Sequence, residues 1–478
     1  MPLSALPSST GIGNLIESAN EFIDFLKKAH IKIWQLLPLN PVGYGSSPYQ
    51  SECGEAIDPA YISLEWLKKH GYIKEYKDYN KDSDRVDFFN VRNFKEMYLI
   101  EGFKKQKDTD SDDFKKFLKE NEWCSNYAKF VVLFKKNNYL DWDKWEKREK
   151  YSAYKNSKYS FAKFEKEILY IEWAQYIAYL QFKEMKEYAK ENGILLMGDI
   201  PFYVGFNSSD CWSNQDEFLL DENDHPTHVA GVPPDYFSAD GQRWGNPIYD
   251  WPYMEADDFS FWKKRIKFAL SQFDILRIDH FRAFDTYYMI PSNEATARVG
   301  VWKEANGDGL FRQLKNEGLT DNIIAEDLGD LFPSVLELRD KYNFKGMNIF
   351  EFNFFNRDFI SNKNQVIYTG THDNDTLVGW YENLGEAGQE NFEIVTRYNK
   401  IPGEDWYDKA MNYVLNSECD YAIIPIQDYL KLDNTYRINT PGTFGSPNRE
   451  FRLKSLNELV KLADSIKEML IKSNRASE

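Results

Sequence analysis

The chain has 478 residues, enough for a large core, and its 59 basic against 76 acidic residues give a formal net charge of −17. That charge opposes a sequence-independent grip on nucleic acid or anionic lipid and favours a neutral or cationic partner. The longest stretch without a charge, Ile33 to Ser51, contains Gln35, Asn40, Gly43 and three prolines, a composition unsuited to a membrane helix. Met1 is followed by Pro2 and by no basic and apolar leader, and Cys53, Cys124, Cys211 and Cys419 are scattered. A reduced, cytoplasmic protein is expected.

In chain order, short apolar runs with polar tails alternate with amphipathic stretches. The runs are Pro2 to Leu6, Ile31 to Leu39, Ile194 to Val204, Phe273 to Asp279, Asn322 to Asp327, Gly346 to Phe352, Val366 to His372 and Asp420 to Gln427. Eight such runs predict a parallel α/β fold, a (β/α)8 TIM barrel over residues 1–478, with the active site at the C-terminal ends of the strands. Residues 74–166 are rich in Lys, Asp, Glu, Asn and Tyr, with Trp142, Trp145, Tyr151 and Tyr154 at helical spacing. They read as a mainly helical insertion whose mixed charges form a solvated face, with no phosphate or nucleic-acid role. Residues 230–251 carry Gly231, Pro233, Pro234, Gly241, Gly245 and Pro247 among five aromatics, which predicts a long ordered loop acting as a lid.

Phe, Trp and Tyr make up 16% of the chain. Their faces suit sugar rings, but most such residues serve packing, so composition alone does not identify a saccharide enzyme. Three strand ends carry acids: Arg277-Ile278-Asp279-His280, Ala325-Glu326-Asp327 and Thr371-His372-Asp373-Asn374-Asp375. Acids at strand ends also cap the helices that follow, a role each of these could have alone. Retaining cleavage of a glycosidic bond needs a nucleophilic carboxylate and a proton-donating carboxylic acid about 5 Å apart. Arg277 precedes Asp279 by two residues, so both face one side of a strand and the cation can orient and ionise the acid. Asp279 therefore suits the nucleophile. Glu326 follows an apolar run, where burial raises its pKa towards that of an acid protonated near neutrality. A metal reading of His372, Asp373 and Asp375 stays open on ligand type, and His225 with His228 is a weak zinc signal.

With these motifs in view, the chain resembles glycoside hydrolase family 77, the 4-alpha-glucanotransferases of the alpha-amylase clan. Further matching segments are Pro38 to Pro41, Gly43 to Ser51, Gly198-Asp199-Ile200-Pro201 and Gly231 to Tyr249. The resemblance implies Asp279 as nucleophile, Glu326 as acid/base and Asp373 as the carboxylate stabilising the oxocarbenium-like state. It implies sugar-contacting or supporting roles for Tyr49, Asp199, Arg277, His372, Trp244 and Tyr44. It also implies no cofactor and no metal, with maltooligosaccharide donors and acceptors as partners.

Two segments depart from the family pattern. Glu52-Cys53-Gly54-Glu55-Ala56 puts acids near an expected glucan groove, and Asn448-Arg449-Glu450-Phe451-Arg452 lacks the expected tryptophans. The reading is transfer of α-1,4-glucan segments by double displacement. Its alternatives are a retaining α-glucan hydrolase and a catalytically silent glucan-binding protein.

Overall fold

Seven of the eight expected runs form parallel strands in the computed structural model, which describes residues 1–42, 47–154, 157–234, 238–356, 361–443 and 445–477. In chain order the strands are β1 (Ile33–Gln35), β2 (Leu195–Ile200), β3 (His228–Val232), β4 (Gln242–Pro247), β5 (Ile275–Ile278), β6 (Thr286–Pro291), β7 (Val301–Glu304), β8 (Ile323–Ala325), β9 (Gly346–Ile349), β10 (Gln365–Tyr368) and β11 (Tyr421–Ile423). One parallel sheet runs β1-β2-β5-β8 and another β9-β10-β11. A parallel bridge from Ile324 to Lys345 joins them, giving the wall of a (β/α)8 barrel.

The eighth position differs from expectation. Residues Leu3–Ala5 form a 3-10 turn, not a strand, closed by Ala5 N–H to Pro2 O at 3.1 Å and Leu6 N–H to Leu3 O at 3.1 Å. Pro2 has no N–H to give a ladder, and the tight turn still buries Leu3, Ala5 and Leu6. A short apolar run does not distinguish these outcomes. The segment nevertheless docks on β1: the Met1 amine donates to Gln35 O at 3.4 Å, and Trp34 Nε1 donates to Met1 O at 2.8 Å.

Residues 230–251, expected as a loop, include the end of β3 and the whole of β4. β3 and β4 pair antiparallel in a four-stranded sheet of order β4-β3-β6-β7. Glycine hid this pattern, yet Gly231 is what permits the pairing, since a Cβ there would lie 2.2 Å from Gln242 O. Residues 74–166 contain the helices Phe88–Lys105, Asp112–Glu120, Glu122–Lys136 and Lys147–Lys150. The 27-residue helix Glu165–Glu191 that follows buries Trp173, Ile177 and Phe182 in the main core.

Strand periodicity explains how the barrel aims its charges. Met197, Ile275, Ile324, Met347, Ile349, Val366 and Tyr368 pack together as one cluster. Successive side chains alternate faces, so Asp199, Arg277 and Glu326, each two residues beyond Met197, Ile275 and Ile324, point the same way. The barrel's apolar plug thus passes directly into its charged mouth.

Candidate active site

Register places the acids. Asp199 on β2 is the partner of Arg277 on β5, and Ile278 on β5 is the partner of Ala325 on β8. Asp279 and Glu326 therefore stand side by side, one residue past the paired ends. The backbone continues the ladder there, with Asp279 N–H to Ile200 O and Glu326 N–H to Ile278 O, both at 3.0 Å.

Arg277 Nη1 donates to both oxygens of Asp199 at 2.7 and 2.8 Å, and Nη2 donates to Asp279 Oδ1 at 3.0 Å. The Asp199 side chain is fully buried and Arg277 is 5% exposed, while Asp279 leaves 30% of its side chain open to the cleft. Burial works against the Arg277 charge, but Asp199 and Asp279 outweigh it and the guanidinium stays ionised. Tyr49 OH donates to Asp199 Oδ2 at 2.7 Å and lies 3.2 Å from His372 Nε2. The rings of Tyr49 and His372 stack at 5.6 Å.

Glu326 is gripped at both oxygens: His280 N–H donates to Oε2 at 2.8 Å and Leu328 N–H to Oε1 at 3.0 Å. His280 adopts a left-handed φ of 51°, the sharp turn that swings its N–H onto the carboxylate. Burial raises the pKa of both acids. Asp279 is pushed up to about 8, with Asp199, Glu326 and Asp373 adding to the effect and Arg277 opposing it. Glu326 also rises, against Arg277 and its two N–H donors. Burial thus biases both acids towards the protonated form.

Asp373 lies on the turn after β10, 3.5 Å from His372 Nε2 and 46% exposed. Asn439 Nδ2 donates to its Oδ1 at 2.6 Å. Burial acts against its charge, but His372 and Asn439 hold its pKa below the usual carboxylate range. Burial lowers the His372 pKa. Asp375 turns away from this group to pair with Arg437, so His372, Asp373 and Asp375 do not converge as metal ligands. His225 pairs with Asp143, and His228 Nδ1 meets Thr227 Oγ1 at 3.1 Å.

Trp244 stands on β4 with its ring 4.8 Å from His280, edge-on, so the β3–β4 hairpin borders the two acids. Gln50, next to Tyr49, donates to Asn246 Oδ1 at 2.8 Å and to Trp244 O at 3.4 Å, joining the Tyr49 loop to the hairpin. Tyr44 lies outside the described residues. The structure thus brings Tyr49, Asp199, Trp244, Arg277, Asp279, Glu326, His372 and Asp373 to one end of the barrel.

The sequence reading gave no role to three residues that join the site. His280 supplies a backbone donor, Asn439 fixes Asp373, and Arg437 Nη2 donates to Asp373 O at 2.8 Å. Arg437 and Asn439 stood in a recognised segment, but contact with a turn more than sixty residues away is a tertiary fact. The two departures also find places. Glu55 turns away from the cleft towards Asp210, and Arg449 acts electrostatically on Asp373 and Tyr49. Arg452 is 1% exposed and donates to Ser8 O at 2.7 Å and Ser83 O at 2.7 Å, tying down the N-terminal segment.

A sequence model of the glycoside hydrolase family 77 4-alpha-glucanotransferases matches residues 1–458. The 4-alpha-glucanotransferase of Clostridium butyricum is 38% identical over 467 residues, covering 95% of each chain. That of Thermus thermophilus is 36% identical over 458 residues, covering 92% of this chain and 91% of its own. The solved amylomaltase from Streptococcus agalactiae, in complex with acarbose, superposes with a TM-score of 0.91 at 32% identity, covering 100% of this chain and 99% of that one. The amylomaltase from Corynebacterium glutamicum shares the fold with a TM-score of 0.77 at 14% identity, covering 100% of this chain and 74% of its own.

Proposed function

The chain belongs to the 4-alpha-glucanotransferase family, and from that premise we propose that it transfers α-1,4-glucan segments by double displacement through a glucosyl-Asp279 intermediate. Its activity as a 4-alpha-glucanotransferase rests on the family match and on the named relatives. The mechanism rests chiefly on one observation, the side-by-side placement of Asp279 and Glu326 by the β5–β8 register.

In the first half-reaction, Asp279 attacks the anomeric carbon while Glu326 protonates the leaving oxygen. In the second, Glu326 takes the proton from an acceptor sugar hydroxyl, which displaces Asp279. Arg277 orients Asp279 and opposes the rise in its pKa. Asp373, held ionised by Asn439 and His372, faces the positive charge that develops on the ring. Tyr49 offers a stacking face, Asp199, His372 and Tyr44 complete the sugar contacts, and residues 230–251 with Trp244 form a lid. Residues 74–166 are an insertion on the single barrel. The acarbose bound by the Streptococcus agalactiae enzyme supports maltooligosaccharides as donor and acceptor. Four buried free cysteines fit a reducing, cytoplasmic setting, and no helix among the described residues is long and apolar enough to cross a membrane.

Maltotriose distinguishes transfer from hydrolysis. Transfer conserves reducing ends while glucose and longer maltodextrins appear, whereas hydrolysis raises reducing ends with every turnover. A rise in step with glucose release replaces this reading with a hydrolase, and no turnover in folded protein replaces it with a silent binder.

A further inference from the structure

A pocket of about 520 Å³, lined by none of the residues placed in the catalytic cleft, lies between the helices Glu122–Lys136, Ser209–Ser213 and Ser260–Gln272. Its walls include Trp123 and Phe268, whose rings meet at 5.9 Å and 72°. Asn126 also lines it, and no hydrogen bond involves its side-chain amide among the described residues. Glu55 and Asp210 also line it. Gly54 N–H donates to Asp210 Oδ2 at 2.8 Å, and Cys53 Sγ lies 3.6 Å from Glu55 Oε2.

We propose that this pocket is a second binding site for a neutral α-glucan segment, distinct from the cleft in which transfer occurs. The volume falls within the usual range for small-molecule sites. A pyranose presents a flat apolar face to an aromatic wall and a rim of hydroxyls that both donate and accept. The free amide of Asn126 does the same. Burial, followed by the charge of Asp210, pushes the Glu55 pKa up to about 8, and the Glu55 carboxyl is hydrogen-bonded to Asp210. A cation is disfavoured because Lys119, Lys264 and Arg265 also line the pocket. The Glu52 to Ala56 segment, unexplained in the sequence, thereby gains a role: it places the hydrogen-bonded Glu55–Asp210 carboxyl pair in the wall of this pocket. A chain held there while its end is processed gains effective concentration at the cleft.

The inference rests on the glucan-transfer reading, and the test separates the two. Maltotriose is titrated into the Glu326→Gln protein by calorimetry and soaked into its crystals. Two classes of site are expected, with sugar density against both Trp123 and Tyr49. Trp123→Ala and Asn126→Leu in that background should each weaken the second class at least tenfold and leave the other unchanged. Because Trp123 also packs on Phe117 and Tyr179, Asn126→Leu carries the test if Trp123→Ala fails to fold. Sugar in the cleft alone, or a second class unmoved by Asn126→Leu, overturns the second site. Sugar in the second pocket alone counts instead against the cleft reading.

Discussion

Arg277 and Asp199 form a buried bidentate ion pair across β5 and β2, with neither side chain more than 5% exposed. Desolvating two charges costs several kcal/mol, and hydrophobic residues in their place would cost the fold less. The pair is nonetheless built so that the second guanidinium nitrogen reaches Asp279. Asp199 fixes Arg277, and Arg277 fixes Asp279. The same carboxylate also receives the Tyr49 hydroxyl, so one buried acid positions both Asp279, through Arg277, and the Tyr49 ring.

Asp279→Asn should keep the fold and lower turnover by about 10³-fold or more, because it removes the proposed attacking carboxylate. Glu326→Gln should lower turnover of maltotriose by about 10²- to 10⁴-fold. Donors whose leaving group needs no proton should still glycosylate the Glu326→Gln enzyme, and peptide mapping should find the sugar on Asp279. Near-normal rates in either folded variant would falsify the assignment. The kcat/KM profile should be bell-shaped, with the alkaline limb lost in Glu326→Gln.

Glu351 offers a stability test away from the reacting atoms. Burial, then the fields of Asp428 and Asp375, push its pKa up to about 10 against the opposing Arg437, and its Oε1 has no hydrogen-bond partner. Between the unfolded value near 4.5 and about 10, the folded state keeps a proton that the unfolded state releases. Stability therefore falls as pH rises through that window. Glu351→Gln removes this slope, so its stability relative to the wild type should improve from pH 6 to pH 9 in denaturant unfolding. An unchanged gap between the two pH values removes Glu351 as the titrating group.

Arg437 clamps the turn that carries Asp373. It pairs with Asp375, donates to Asp373 O at 2.8 Å, and reaches Asn439 O through Nε at 3.3 Å. Arg437→Ala should lower kcat by about 10²-fold, the scale of an ångström-sized misplacement, with a smaller change in KM. Arg437→Lys keeps the charge but loses the fork, so partial recovery separates charge from geometry. Equal losses in kcat and thermal stability across both variants would indicate a purely structural role.

Much of the site was legible because strand spacing is simple. Arg277 and Asp279 at i and i+2 share a face in any extended strand, and Glu326 followed an apolar run that had to be buried. What could not be read depended on where separate segments meet. Asn439 reaches Asp373 only after the turn after β10 and the segment 437–439 pack together, and no local pattern encodes that. The sequence also misled where residue type and conformation diverge: Pro2 to Leu6 has strand-like composition but forms a turn, and the glycines around residue 231 looked like loop while permitting close strand pairing. Glu55 stands near Tyr49 in sequence, but its neighbour in space is Asp210.

Trp244 tests what selects the acceptor. In the proposed double displacement, water and a sugar hydroxyl compete for the glucosyl-Asp279 intermediate, and the outcome depends on which is held in line with Glu326. The Trp244 ring lies edge-on to His280 at 4.8 Å, and His280 is the residue whose N–H holds Glu326. Removing the indole opens that side of the cleft to water and takes away a stacking face for an acceptor ring. Trp244→Ala should therefore raise the ratio of hydrolysis to transfer several-fold or reduce total turnover, read as reducing ends formed per glucose released from maltotriose. Gln50 bridges the Tyr49 loop to the same hairpin through Asn246 at 2.8 Å, so Gln50→Ala should shift the ratio in the same direction but less, because the ring remains and only its anchorage is lost. A Trp244→Ala enzyme with wild-type rate and wild-type product ratio removes the hairpin from acceptor selection.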